Sequence, residues 1–128
     1  VAPVNKFLDD GLRVGLATDV AGGSHESMLR AMTHAIQASK LRWRLYDQDV
    51  KPLSFERAFY LATMGGGAFF GNVGSFLEGY EFDAVVLDDA SLDHPQELSV
   101  RARLERAAYL VDDWNLTAKF VAGQKILG

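Results

Sequence analysis

The sequence predicts an α/β fold, and three observations carry that prediction. A short apolar run, Val14 to Ala17, passes through Thr18 into an acid, Asp19, and the pair Gly22-Gly23 then opens a long helical pattern. Residues 26–45 set Met28, Met32, Ala35, Ile36, Ser39 and Trp43 at steps of three and four, the spacing of one helix face. A second apolar run, Phe82 to Asp88, reads as a buried strand and precedes another helical pattern.

The elements follow in order. Residues 1–11 read as an extended lead-in, with Pro3 and Gly11 as breakers and Phe7-Leu8 as apolar anchors. Residues 13–18 read as a buried strand, nearly continuous in apolar character as parallel strands are. Ser24 is placed to cap the long helix and Glu26 falls in its first turn, where the helix dipole favours an acid. Tyr46 to Pro52 is a polar connector, and Ser54 caps a second helix over Phe55 to Thr63. The three consecutive glycines Gly65-Gly66-Gly67 within Met64 to Gly71 predict a short helix packed closely on a neighbour, because glycine removes the side chain that holds backbones apart. A phosphate-cradling loop there would need a Lys and a Ser or Thr at P-loop spacing, and none follows.

Beyond residue 72 the character changes. Asn72 to Gly79 is turn-rich, Asp88 to Pro95 is loop, Ser99 to Val111 is helical, and Lys119 to Leu127 alternates around Ala122-Gly123 as a terminal hairpin does. Residues 1–71 are thus expected to form one part of the fold and residues 72–128 a β-rich part with one helix.

Composition narrows the function classes. With 128 residues, 48% apolar and 23% charged, the chain is globular rather than disordered. A net charge of -4 disfavours nucleic acid, whose binding needs basic patches to displace counterions. The cluster Lys40, Arg42, Arg44 shares its helix with Leu41 and Trp43 and reads as a solvated or interface helix end. The chain has no cysteine, which excludes disulfides, thiolate metal sites and a thiol nucleophile and fits a cytoplasmic protein. No apolar run approaches the ~20 residues of a membrane span. No basic-then-apolar leader opens the chain. The start lacks an initiator methionine, so a fragment or processed piece is expected.

Asp19 is the candidate catalytic and metal-ligating residue. Catalytic groups of α/β proteins stand where a strand ends and the loop to the next helix begins. A carboxylate there can bind Zn²⁺ or Fe²⁺ through oxygen and can take a proton from water. The bland alternative is a turn aspartate. His25, six residues on, is near enough to touch a ligand; His34 reads as structural, at an edge of the long helix's buried face; His94, before Pro95, reads as exposed. These groups complete neither a metal site nor a nucleophile–base triad: Ser24 and Ser27 lie near His25 in sequence but point elsewhere on a helix start. Asp83, Asp88, Asp89 and Asp93 lack the alternating spacing of a Ca²⁺ loop and read as solvated.

Three motifs in order resemble the metal-dependent amidohydrolase superfamily. Val14-Gly15-Leu16-Ala17-Thr18-Asp19 is similar to its last barrel strand, which ends in Thr-Asp or Ser-Asp. Gly74-Ser75-Phe76-Leu77-Glu78-Gly79 followed by Phe82 to Asp88 resembles the return into its small β-sandwich, with Phe82-Asp83 where Ala-Asp is usual. Phe120 to Ile126 resembles its closing hairpin. Thr-Asp-Val-Ala-Gly-Gly, then Ser27 to Met32 and Ser39 to Trp43, is most similar to the bacterial members that deaminate guanine.

The resemblance implies the C-terminal part of a (β/α)₈ barrel, with residues 1–71 as its last strand and following helices. Residues 72–128 would be part of the companion β-sandwich domain. It implies a Zn²⁺ or Fe²⁺ ion ligated by Asp19 and mainly by residues absent from this chain, with Asp19 also shuttling a proton. The implied partners are the missing N-terminal part, guanine as substrate, and a second copy in a homodimer. A partial barrel leaves its sheet edge open, so residues 13–18 are expected to pair with strands outside this chain. The rival substrates are S-adenosylhomocysteine, methylthioadenosine or a triazine. The rival class is a non-catalytic association module presenting Phe69, Phe70 and Trp43, although Phe69-Phe70 reads more simply as core.

Overall fold

The computed structural model describes residues 1–92 and 94–128, so Asp93, one of the loop acids, lies outside the described residues. Packing divides the chain into two units, Val1–Gly71 and Asn72–Gly128.

The first unit begins with a helix, α1 (Val4–Asp9), where the sequence predicts an extended lead-in. Six residues are too few for a stable helix in isolation, and tertiary hydrogen bonds supply what propensity does not. Asn5 is buried; its Nδ2 donates to the carbonyls of Lys51 (2.7 Å) and Pro52 (3.0 Å). Arg57 donates to Asn5 Oδ1 and to Asp9 Oδ1, both at 2.9 Å, and so ties α1 to the third helix.

The long helix, α2 (Met28–Leu45), starts two residues later than expected. Ser27, not Ser24, is its N-cap: its backbone is extended (φ -74°, ψ 119°) and its Oγ accepts from Arg30 N–H. Glu26 therefore precedes the helix. Met32 and Ile36 are buried, as the periodicity predicts, together with Leu53, Phe55, Ala58 and Leu61. Ser39 joins the layers, its hydroxyl donating to Ile36 O (2.7 Å) and accepting from Leu53 N–H (2.8 Å). At the basic end, Arg42 donates to Val1 O and lies 3.6 Å from Asp47. Ser54 caps α3 (Phe55–Tyr60), as expected.

The helix then widens into a π turn, Leu61–Gly65. Leu61 O accepts from Gly66 N–H and also from Leu16 N–H (2.9 Å), docking the 12–18 segment here. That segment is neither helix nor strand, which corrects the reading of 13–18 as a strand: a strand is defined by its partner, and among the described residues none pairs with it. The expected close packing of the glycines is present and has a definite target. A Cβ on Gly15 would lie 2.9 Å from Gly66 Cα, and one on Gly65 would lie 2.6 Å from Val14 O. Phe69 and Phe70 are exposed, which corrects the reading of this pair as core. They sit in the turn after the helix, 88% and 79% exposed, edge to face with centroids 5.0 Å apart.

The second unit is a three-stranded antiparallel sheet in the order β1 (Ala84–Leu87), β2 (Leu116–Val121), β3 (Gln124–Leu127), with one helix, α4 (Val100–Leu110). Val86 pairs with Ala118 and Val121 with Gln124, which leaves Ala122-Gly123 as a two-residue hairpin loop. Both loop residues have positive φ (47° and 77°), the requirement of a type I′ turn. Ser99 caps α4, whose inner face carries the buried Ala107 and Ala108 with Val111 just beyond. Val85 and Val86 are half exposed, so β1 is not the fully buried strand its apolar run predicts. Asn115, buried at the start of β2, accepts from Asp112 N–H (3.0 Å) and donates to Asp88 O (2.9 Å) and Ser91 Oγ (3.1 Å).

Candidate functional site

The site is built on the turn that connects the 12–18 segment to α2. Asp19 and Ala21 both hold left-handed backbone, φ 53° and 71°. Aspartate visits that region at modest cost, whereas alanine there is strained by roughly 1–2 kcal/mol. Asp19 O closes the turn, accepting from Gly22 N–H (2.8 Å) and from Gly23 N–H. The glycine pair is needed for space. A side chain at Gly22 would meet the Asp19 carboxylate, and one at Gly23 would run into the carbonyl of Thr18. The sequence marks Gly22-Gly23 as a helix opening; their function is to let the chain fold back over Asp19.

Asp19 is exposed, and its carboxylate has no hydrogen-bond or ion-pair partner among the described residues. Beside the turn lies an open cleft of roughly 390 Å³, walled by Leu16 to Thr18 on one side and by Ala31, His34 and Ala35 of α2 on another. Thr18 and Gly23, the neighbours that bracket the turn, line it, while Asp19 stands one residue beyond the lining. His25 and His34 both line the cleft, with ring centroids 6.1 Å apart. His34 is exposed rather than packed at the edge of a buried face, because α2 turns that side away from Met32 and Ile36. Arg30 donates to His25 Nε2 at 3.4 Å. Helical periodicity could have found the His34 placement: residues 31, 34, 35 and 38 share one stripe. No sequence signal marks Ala21 as left-handed.

The remaining candidates have partners of their own. Ser27 caps α2. Asp83 accepts from Ala122 N–H (2.8 Å), Asp88 from Ala90 N–H (2.9 Å), and Asp89 forms a two-bond pair with Arg103 (2.9 Å each). These acids close turns and pair with a guanidinium. His94 is half buried rather than exposed, with Nδ1 3.2 Å from Gln96 N. Among the described residues no three His, Cys, Asp or Glu side chains form a group able to hold a metal ion. The donor set at the turn is one uncommitted carboxylate, which fits a site completed by ligands from elsewhere and makes no site alone. No helix among the described residues is long and apolar enough to cross a membrane.

Residues 1–126 match the model of the amidohydrolase family. The chain is similar to the guanine deaminase of Dictyostelium discoideum, 32% identical over 96% of this chain and 29% of that protein. It is similar to the probable guanine deaminase of Schizosaccharomyces pombe, 35% identical over all of this chain and 26% of that protein. Among solved structures it resembles the guanine deaminase of C. acetobutylicum with guanine bound in its active site: TM-score 0.91, 43% identity, 98% of this chain and 30% of that one. The chain therefore spans less than a third of the length of these relatives.

Proposed function

This chain belongs to the amidohydrolase family, and on that premise we propose that it is the C-terminal part of a guanine deaminase. Residues 1–71 are the end of the (β/α)₈ barrel, its last strand and following helices. Residues 72–128 are the C-terminal part of the companion β-sandwich domain. The 12–18 segment gains strand partners from the preceding part of the protein, and the whole enzyme is a cytoplasmic homodimer of purine catabolism. The observation that carries this reading is the likeness, along nearly the whole chain, to a guanine deaminase solved with guanine bound.

Hydrolytic deamination adds water at the amino-bearing ring carbon, breaks that carbon–nitrogen bond and releases ammonia, leaving xanthine. The reaction needs a base for the water proton and an acid for the departing amine. A single carboxylate serves both in turn, with gains of about 10²–10⁴-fold typical of such proton transfer. Asp19 suits that work: it is exposed, uncommitted, and held by a turn whose backbone is fixed at both ends. A Zn²⁺ or Fe²⁺ ion, held by Asp19 and by residues outside this chain, would polarise water and make it more acidic. One carboxylate does not hold such an ion tightly, so the fragment alone is inactive.

The test is turnover by the full-length protein of guanine, S-adenosylhomocysteine, methylthioadenosine and a triazine. Xanthine and ammonia from guanine, at the highest kcat/KM of the four, is the expected result; preference for another substrate overturns the assignment. Asp19→Asn keeps the shape and removes the proton acceptor, and is expected to lower kcat by about 10²–10⁴-fold.

A further inference from the structure

We propose that Gly22 is a positioning residue for the Asp19 carboxylate, a role distinct from that of its neighbour Gly23. The inference rests on the reading of Asp19 as the proton-carrying carboxylate. A Cβ built on Gly22 would lie 2.7 Å from Asp19 Oδ2, 3.2 Å from its Cγ and 3.4 Å from Oδ1. All three nearest atoms belong to one carboxyl group. The three atoms nearest a Cβ built on Gly23 are all backbone: the carbonyl oxygen of Thr18, then Asp19 O at 3.0 Å and the carbonyl carbon of Thr18 at 3.1 Å. The two glycines are adjacent in sequence and answer to different atoms.

The consequence is a separation of fold from function. At position 23 a side chain can be admitted only by moving the backbone of the turn. At position 22 it can be admitted by rotating the Asp19 side chain, which costs the fold little because that carboxylate has no partner to lose among the described residues. Among the described residues no hydrogen bond fixes the carboxylate, and the volume that Gly22 leaves open bounds where it can stand. The backbone of the turn holds Gly22 there, through Gly22 N–H donating to Asp19 O at 2.8 Å and through the left-handed backbone of Asp19 and Ala21, both of which precede it. A displacement of about 1 Å in a reacting group can cost 10²-fold in rate.

Three variants of the full-length protein test this: Gly22→Ala, Gly23→Ala and Asp19→Asn. Gly22→Ala is expected to melt within about 2 °C of the parent. Its kcat should fall about 10- to 10²-fold with KM changed less than about 3-fold. The acidic limb of its pH–rate profile should move, and the metal-free protein should take up Zn²⁺ about 10-fold more weakly. Gly23→Ala should melt well below both. Parental kcat, pH profile and Zn²⁺ affinity in Gly22→Ala, with Asp19→Asn inactive, overturn the positioning role and leave Asp19 in place. A Gly22→Ala protein that fails to fold, or melts as low as Gly23→Ala, makes Gly22 structural and also overturns it. Activity retained by Asp19→Asn removes the reading of Asp19 and the positioning role with it.

Discussion

Each unit has one tight turn in which an alanine is forced into left-handed backbone, and the two turns are supported differently. In the second unit, Ala122 (φ 47°) sits in a hairpin loop flanked by the Val121–Gln124 pair. Two bonds from outside the hairpin also hold it: Ala122 N–H donates to Asp83 Oδ1 (2.8 Å) and Gly123 N–H to Phe82 O (2.9 Å). The ladder and these bonds offset the strain. In the first unit, Ala21 (φ 71°) sits in a turn closed by the bonds to Asp19 O, with no ladder on either side among the described residues. Strain that the local structure does not require clusters at working sites. The contrast separates a turn that shapes a sheet from a turn that presents a carboxylate.

The comparison can be broken or sharpened by mutation. After Gly23→Ala, the largest effect on stability is expected at Gly65→Ala, whose new Cβ would lie 2.6 Å from Val14 O and 3.2 Å from Tyr60 O. Both atoms are backbone, so the segment leading to Asp19 must move, at about 3 kcal/mol of stability. Urea unfolding of the full-length protein checks it, and an unchanged midpoint would show that the first turn does not depend on this contact. Asn115→Ala removes three part-buried bonds of a buried side chain, to Asp112 N–H, Asp88 O and Ser91 Oγ, a loss of about 2 kcal/mol. Its effect on kcat should be small, because Asn115 bonds Asp112, Asp88 and Ser91 of its own unit.

Ala122→Asn is expected to stabilise by about 1 kcal/mol, since asparagine tolerates left-handed backbone better than alanine. A gain in melting temperature checks it, and a loss would mean the hairpin is not under the strain its φ implies. The smallest effect concerns pH. The Arg103 guanidinium bonded to Asp89 holds that carboxyl below its ordinary value of 3.8. The folded protein thus binds fewer protons at this site than the unfolded chain does. The pair's stabilisation is present above that ordinary value and is lost as pH falls through the depressed one. Asp89→Asn should flatten this part of the acid unfolding curve, slightly, because the pair is exposed.

What the sequence makes legible is what local chemistry fixes. Ser54 and Ser99 are caps because a hydroxyl at that position satisfies an orphan amide whatever the fold. Met32 and Ile36 face inward because the helical period allows no other buried side. The hairpin at Ala122-Gly123 and the close packing of the glycine run follow from turn chemistry and missing side chains. The failures are equally specific. Ser24 has the chemistry of a cap, but the turn around Asp19 occupies residues 19–24 and delays the helix to Ser27. Phe69-Phe70 has the composition of core and lies where the chain leaves its unit.

The sequence by itself determined the period of each helix, the hairpin and the position of one acid after an apolar run, because these depend on neighbours a few residues away. Only the tertiary structure decided that Val4–Asp9 is helical, that residues 13–18 form no strand in this chain, and that Gly22 faces a carboxylate while Gly23 faces backbone. Those outcomes rest on Asn5 reaching Lys51, on residues 13–18 meeting no strand among the described residues, and on a chain reversing over itself within five residues. Contacts of that kind are set by where distant or folded-back atoms meet, and no run of residue types encodes the meeting point.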